Sequence, residues 1–326
     1  PHMSSNDDLL ATVASLYYLS NQSQSEIAKR LAMSTSKVSR LLKEARDRGI
    51  VDIRINMPIP RDIELEQQLI KEFNIRDAYV LKTTDDKSWE ALANAIGKLA
   101  ANHILRVLQG FPVGASVGVA WGRGVHAAVT KLPDNAARNI NAVPLIGGIG
   151  TLAVDSPDVA RIVAQKLGGR HYDLHAPILV ERATAKDVFM SEPSVQMSIQ
   201  RAKTVHMAIT GIGSLVDEAS SFLRAGLLSN SELAQLRAQG LVGELCGYFY
   251  DARGGYRAYE INQRIIGLDL TQLKQVELVL AVAYGRVKAE AIHGALQGEY
   301  IDVLVTDDGA AGSIIEMTRQ SVEKAR

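Results

Sequence analysis

The chain has 326 residues, 47% hydrophobic and 22% charged, with 36 basic against 36 acidic side chains and a single cysteine, Cys246. Such a length predicts two domains and at least one well-buried core. One cysteine excludes an internal disulfide and argues against a cysteine metal cluster within one chain, and no run of about 18 apolar residues is available to cross a bilayer.

The N-terminus lacks the basic, apolar and small-residue sections of a secretory signal, so a cytoplasmic protein is expected, and Pro1-His2-Met3 reads as a cloning remnant. In chain order, the first element is an apolar helix carrying Leu9, Leu10, Val13, Ala14, Leu16 and Tyr17. Two short helix patterns follow in "SQSEIAKRLAMSTSKVSRLLKEARDRG", with Ile27, Ala28 and Leu31 on one and Val38, Leu41 and Leu42 on the other. Ser23 or Ser25 can cap the first and Ser34 the second. The three-residue break between them fits a helix-turn-helix, although Ala32 stands where such turns often use glycine and is expected to manage without positive φ.

Zero net charge argues at first against a nucleic-acid partner, but residues 29 to 54 hold eight basic and three acidic side chains, a local balance of +5. One small module facing phosphates is therefore expected. With the apolar face of the second helix packed, Thr35, Ser36, Lys37, Ser39, Arg40 and Lys43 face outward behind the capping Ser34, where base edges and phosphates of double-stranded DNA are met. The alternative is a solvated basic face on an ordinary helix. "GIVDIRINMP" then alternates like a short wing strand ended by Pro58, which divides the chain into a DNA-binding domain at 4–57 and a second domain at 58–326.

The second domain opens on a capped helix from Asp62 to Phe73. Apolar runs at Ser116–Ala120, Ile140–Ile146, His206–Thr210, Leu241–Phe249, Glu277–Ala283 and Ile301–Thr306 then alternate with helices, which predicts an open α/β fold with a mostly parallel sheet. Several runs end in glycine-rich turns: "VGVAWGRGV", "PLIGGIGT", "ITGIGSL" and "AVAYGRVKAEAI". Each alone is an ordinary tight turn, but four at strand ends, with Arg123 and Lys288 beyond two of them, favour a phosphate or polar-anion site. None matches GxGxxG or GxxxxGK[ST], so no nucleotide cofactor is implied.

Catalysis would need an acid and a base, for which Glu244, Asp251, Asp307, Asp308, Lys288 and His206 are candidates, but carboxylates at strand ends are more often helix caps or hydroxyl anchors. No catalytic residue is assigned. His171, Asp173 and His175 alternate like a metal triplet without a further partner motif, and no metal site is assigned. Cys246 reads as a small buried hydrophobe.

Taken together, "SQSEIAKRLAMSTSKVSRLLKEARDRGIVDI", "VGVAWGRGV", "PLIGGIG", "LHAP", "GIGSL", "GLVGELCGYFYDARG", "VKAEAIHGALQGEYIDVLVTD" and "DDGAA" resemble, in order and spacing over nearly the whole chain, the SorC family of bacterial sugar-responsive transcriptional regulators. The resemblance implies a small winged helix-turn-helix domain followed by an α/β effector domain like sugar-phosphate isomerases and CoA transferases. It implies a homotetramer, a dimer of dimers, whose DNA affinity responds to a carbohydrate effector expected to be phosphorylated. By motif, Gly118, Trp121, Gly122 and Arg123 would line one side of the effector site and Gly147, Gly148 and Gly150 another. Lys288 would pair with the phosphate, and Glu244, Asp251 and Asp307 would hold hydroxyls. Glu244 replaces the aspartate usual in the family's "VGD" element, and Tyr284 a glycine of its "AGG" element.

Overall fold

The computed structural model describes residues 5–51, 59–83, 88–134, 139–150 and 156–324. The chain divides into two compact units, Pro1–Pro58 and Ile59–Arg326. The expected wing strand falls almost wholly on residues 52–58, outside the described residues.

In the first unit α1 (Ser5–Ala14) runs into a π-helical turn at Ser15–Leu19, followed by α2 (Gln24–Arg30) and α3 (Thr35–Asp47). Leu10 and Val13 of α1, Ile27 and Ala28 of α2, and Val38, Leu41, Leu42 and Ala45 of α3 form its core. Both helix starts are fixed by hydroxyls: Ser23 and Glu26 form a reciprocal capping box, and Ser34 Oγ accepts from the Lys37 amide at 3.2 Å. The helix ends are alike too. Met33 N donates to Ala28 O and Ile50 N to Ala45 O, each closing a Schellman motif whose central residue is left-handed. Gly49 serves at the end of α3, with φ 71°, whereas Ala32 serves at the end of α2, with φ 51°. The expectation that this turn would avoid positive φ is thus corrected: the backbone geometry that satisfies the last α2 carbonyls requires it, and the Ala32 Cβ is accommodated because the residue is exposed.

The second unit begins with α4 (Ile63–Phe73), capped by Asp62, whose carboxylate accepts from Leu65 N at 3.1 Å. Then follow β1 (Asp77–Leu81), α5 (Trp89–Leu108), β2 (Ser116–Val119), α6 (Arg123–Thr130), β3 (Ile140–Pro144), α7 (Ser156–Leu167) and β4 (Gly168–His171). After α8 (Ala183–Ser191) and α9 (Pro193–Lys203) come β5 (Met207–Ser214), α10 (Ser221–Arg224), α11 (Asn230–Ala238), β6 (Leu241–Leu245) and β7 (Tyr248–Asp251). The unit closes with α12 (Leu270–Leu273), β8 (Val279–Val282), α13 (Ala289–Gln297), β9 (Val303–Asp307) and α14 (Asp308–Lys324).

Seven strands form a parallel array in the order β1-β9-β8-β5-β2-β3-β4, and β6 pairs antiparallel with the end of β5 and with β7. Strand side chains alternate between two apolar layers. Met207 and Ile209 of β5 join the residues of α5, α6 and α7, while Ala208 and Ile212 join those of α4, α13 and α14. The sheet is therefore an α/β layer covered on both faces, as its continuous Val, Ile and Leu runs require. From β2 the chain proceeds outward through β3 to β4, and from its neighbour β5 outward the other way to β8 and β9. Such a reversal opens a crevice beyond the strands' carboxyl ends.

Two sequence expectations are corrected here. The apolar run Leu241–Phe249 is a hairpin, because Cys246 (φ 49°) and Gly247 (φ 79°) turn left-handed between β6 and β7. Gly211 and Gly213 of "ITGIGSL" lie within β5 and form no turn. β1 and β4 were not among the apolar runs named from sequence.

Ala32→Gly removes the Cβ clash of a left-handed residue without deleting a buried contact. Expected is a gain of about 1 kcal/mol in the first unit, read as roughly fivefold slower hydrogen exchange of the buried α2 and α3 amides. Unchanged or faster exchange would contradict the strain assigned to this turn.

Candidate functional site

The crevice is lined from four directions. Beyond β2, the chain passes through Trp121 to Gly122, whose φ of 125° only glycine adopts readily, and this bend starts α6 at Arg123. Beyond β8, Tyr284 precedes Gly285 (φ 92°) and a single 3-10 turn, Arg286–Lys288. Asp307, at the end of β9, ties that loop down: one carboxylate oxygen accepts from Gly285 N and the other from Ala310 N, capping α14. The fourth side is the β6–β7 hairpin, which brings Glu244 opposite Gly213 of β5. A Cβ at Gly213 would lie 2.2 Å from Glu244 Oε1, so the glycine is what admits the carboxylate.

Glu244 is buried, and accepts from Ser221 Oγ and Gly247 N, each at 3.1 Å. Burial pushes its carboxyl above the usual range, against the pull of those donors and of Lys288. Lys288 donates from Nζ to Ile212 O at 2.6 Å. Burial of its amine lowers its pKa to about 8; Glu244 opposes that shift, while Arg123 and Arg224 add to it. Arg224, the last residue of α10, is itself lowered by burial and then by Arg123, and donates to Glu218 O at 3.2 Å. Arg123 lies 5.2 Å from the ring centroid of Trp89. Tyr284, buried beside these guanidiniums, has its phenol pushed up by burial. Among the described residues none of Arg123, Arg224 and Lys288 forms an ion pair within hydrogen-bonding distance. Arg123, Arg224 and Lys288 are thus neighbours, and Lys288 faces the buried carboxylate of Glu244.

Of the residues expected from sequence, Arg123, Lys288, Glu244 and Asp307 come together here. Gly122 shapes the loop, and Trp121 is buried edge-on against Phe222, with ring centroids 5.3 Å apart. Gly118 lies inside β2, where an added Cβ would strike Leu145, so its role is packing. The amides of Gly147 and Gly148 are taken by Ile266 O and Ala176 O, which leaves them nothing to offer an anion. Gly148 and Gly150 instead line a shallow cavity of about 420 Å³ with His175, Pro177 and Leu227. Asp251 stands at the far end of the hairpin from Glu244. Its oxygens accept from Arg253 N, Gly255 N and Tyr259 Oη, which makes it the organiser of the β7 turn. Asp308 is engaged with Thr83.

His206 lies before β5, at the amino edge of the sheet, its Nδ1 accepting from Ser116 N. His171, Asp173 and His175 are exposed, and no metal-binding group is found among the described residues. On the first unit, Ser34, Thr35, Ser36, Lys37, Ser39, Arg40 and Lys43 are all exposed along one stretch of α3. Arg224, Ser221 and Trp89 were not anticipated from sequence. Arg224 and Ser221 sit in a four-residue helix with no motif around them, and only the fold brings them to Glu244 and Arg123.

The family described as "Putative sugar-binding domain" matches residues 57–316. The deoxyribonucleoside regulator of Bacillus subtilis is 30% identical over 305 residues, 93% of this chain and 95% of the relative. The sorbitol operon regulator of Klebsiella pneumoniae is 29% identical over 320 residues, 96% of this chain and 100% of the relative. The crystal structure of full-length SorC from Klebsiella pneumoniae matches with a TM-score of 0.77 at 28% identity, covering 96% of this chain and 100% of that one. The chain belongs to this sugar-binding-domain family and, within it, to the SorC family of transcriptional regulators.

The buried amine of Lys288 gives a pH signature. The folded chain releases this proton near pH 8 and the unfolded chain near the ordinary 10.5, so between those values the unfolded state holds more protons and stability rises with pH. Against a Lys288→Met variant, which lacks the titration, the native chain is expected to gain on the order of 1 kcal/mol between pH 8 and 9.5, measured by urea unfolding. Parallel pH curves for the two proteins would place the Lys288 amine in solvent.

Proposed function

We propose that this regulator changes its affinity for double-stranded operator DNA when a phosphorylated sugar, or a related carbohydrate metabolite, binds the cluster of Arg123, Arg224 and Lys288. The nearness of these three cations, none of which forms an ion pair among the described residues, is the observation that carries the reading. A phosphate group brings roughly −1.5 to −2 charges and three acceptor oxygens, which matches such a cluster. The names of the relatives, a sorbitol operon regulator and a deoxyribonucleoside regulator, support a carbohydrate as the effector class. The carboxyl of Glu244, held above the usual carboxylate range by burial, and the Tyr284 phenol are suited to meet the sugar's hydroxyls beside the phosphate.

A role in regulation is supported by the relatives, which are named transcriptional regulators. On the first unit, the N-terminal part of α3 would enter the major groove, with Thr35, Ser36 and Ser39 near base edges and Lys37, Arg40 and Lys43 on bases or phosphates. One helix-turn-helix offers too few contacts for tight specific binding, so the working species is a dimer or tetramer reading repeated half-sites, and the resemblance to the SorC family implies the homotetramer. The effector then acts by its different affinity for two arrangements of those subunits.

In a thermal-shift screen of sugars, polyols, sugar acids and their phosphates, a sugar phosphate is expected to raise the melting temperature most, and Arg224→Ala to abolish that shift. Shifts with unphosphorylated compounds alone would overturn the phosphate assignment. Arg40→Ala is expected to weaken operator binding by roughly tenfold while leaving the effector shift intact. An unchanged operator affinity and salt slope would remove Arg40 from the DNA interface.

A further inference from the structure

Arginines in anion sites are usually oriented by a carboxylate, which occupies two of the five N–H donors. Arg123 is oriented differently. Its guanidinium lies over the Trp89 indole, 5.2 Å from the ring centroid, and it has no ion pair or side-chain hydrogen bond among the described residues. A ring face attracts the cation and fixes its plane without accepting from any N–H. The indole is itself held in place. Ser88 caps α5 by accepting from Ala91 N, which sets the position of Trp89 as the first helical residue. The Tyr284 ring packs against it with centroids 5.1 Å apart. Gly285 completes the seat, since a Cβ there would approach the far edge of the indole at 3.0 Å. A tryptophan left 42% exposed is an uncommon expense for a soluble domain, and here it sits beside the cation cluster.

We propose that Trp89 is a positioning residue that holds Arg123 by its ring face, so that every guanidinium N–H is left for the effector's anion. The proposal rests on the reading that Arg123 meets that anion. It also gives Tyr284, the residue that departs from the family's glycine, a role as the buttress of the indole.

The test is a calorimetric titration of the full chain with inorganic phosphate at low ionic strength, on the native protein, Trp89→Ala, Trp89→Phe, Arg123→Ala and the Arg123→Ala/Trp89→Ala double variant. Loss of the ring is expected to weaken phosphate binding roughly fivefold, and phenylalanine to restore most of it, since a smaller ring face still attracts the cation. In the Arg123→Ala background, removing Trp89 is expected to have no further effect, the non-additivity that marks two residues acting as one. Native-like binding by Trp89→Ala, or an equal loss in both backgrounds, would overturn the positioning role while leaving the anion site in place. Binding unaffected by Arg123→Ala, or no binding by the native chain, would overturn the anion-site reading and this proposal together.

Discussion

Like charges brought close together repel, and the candidate site of the second unit can be understood from how this chain tolerates three of them. Arg123, Arg224 and Lys288 come near one another from α6, α10 and the β8 loop, and the pKa of Lys288 and of Arg224 is lowered first by burial and then by the neighbouring guanidiniums. Glu244 is the buried carboxylate that faces Lys288, and it is held there by Ser221, by Gly247 and by the absence of a side chain at Gly213. A site of this kind is less stable empty than filled, which is the condition for an anion to shift the protein's equilibrium.

The parallel sheet provides the setting. Because β2 and β5 are neighbours whose onward connections run in opposite directions, the loops after β2, β5 and β8 converge over one crevice. β5 then continues past the sheet to pair with β6, which carries Glu244 in from a direction no crossover helix could supply. Asp307 joins the ends of β8 and β9 through Gly285, so the loop bearing Tyr284 and Lys288 is fixed by the framework.

Much of this was legible in the sequence. The two serine caps, the apolar faces of α2 and α3 and the outward run from Thr35 to Lys43 follow from local periodicity, and the structure places them as read. Arg123 and Lys288 were legible because each follows a glycine turn at a strand end. What could not be read depended on long-range pairing or on competing use of the same groups. The Cys246-Gly247 turn was hidden inside an unbroken apolar run, and Arg224 lies in a short helix without any motif. Gly147 and Gly148 looked like phosphate-binding amides, but neighbouring carbonyls from Ile266 and Ala176 take their N–H groups. Asp251 shares a motif with Glu244 and yet ends at the other end of the hairpin, since a two-residue turn separates their strands.

The measurement that tests the central claim most directly is the proton balance of effector binding, obtained by calorimetry at pH 8.5 in two buffers of different ionisation enthalpy. Lys288 in the empty site is largely deprotonated at that pH, and an anion placed against it raises its pKa. The account predicts net proton uptake when a sugar phosphate binds, and none in Lys288→Met. Binding with no uptake, or with proton release, would contradict an anion seated against Lys288 in the cation cluster.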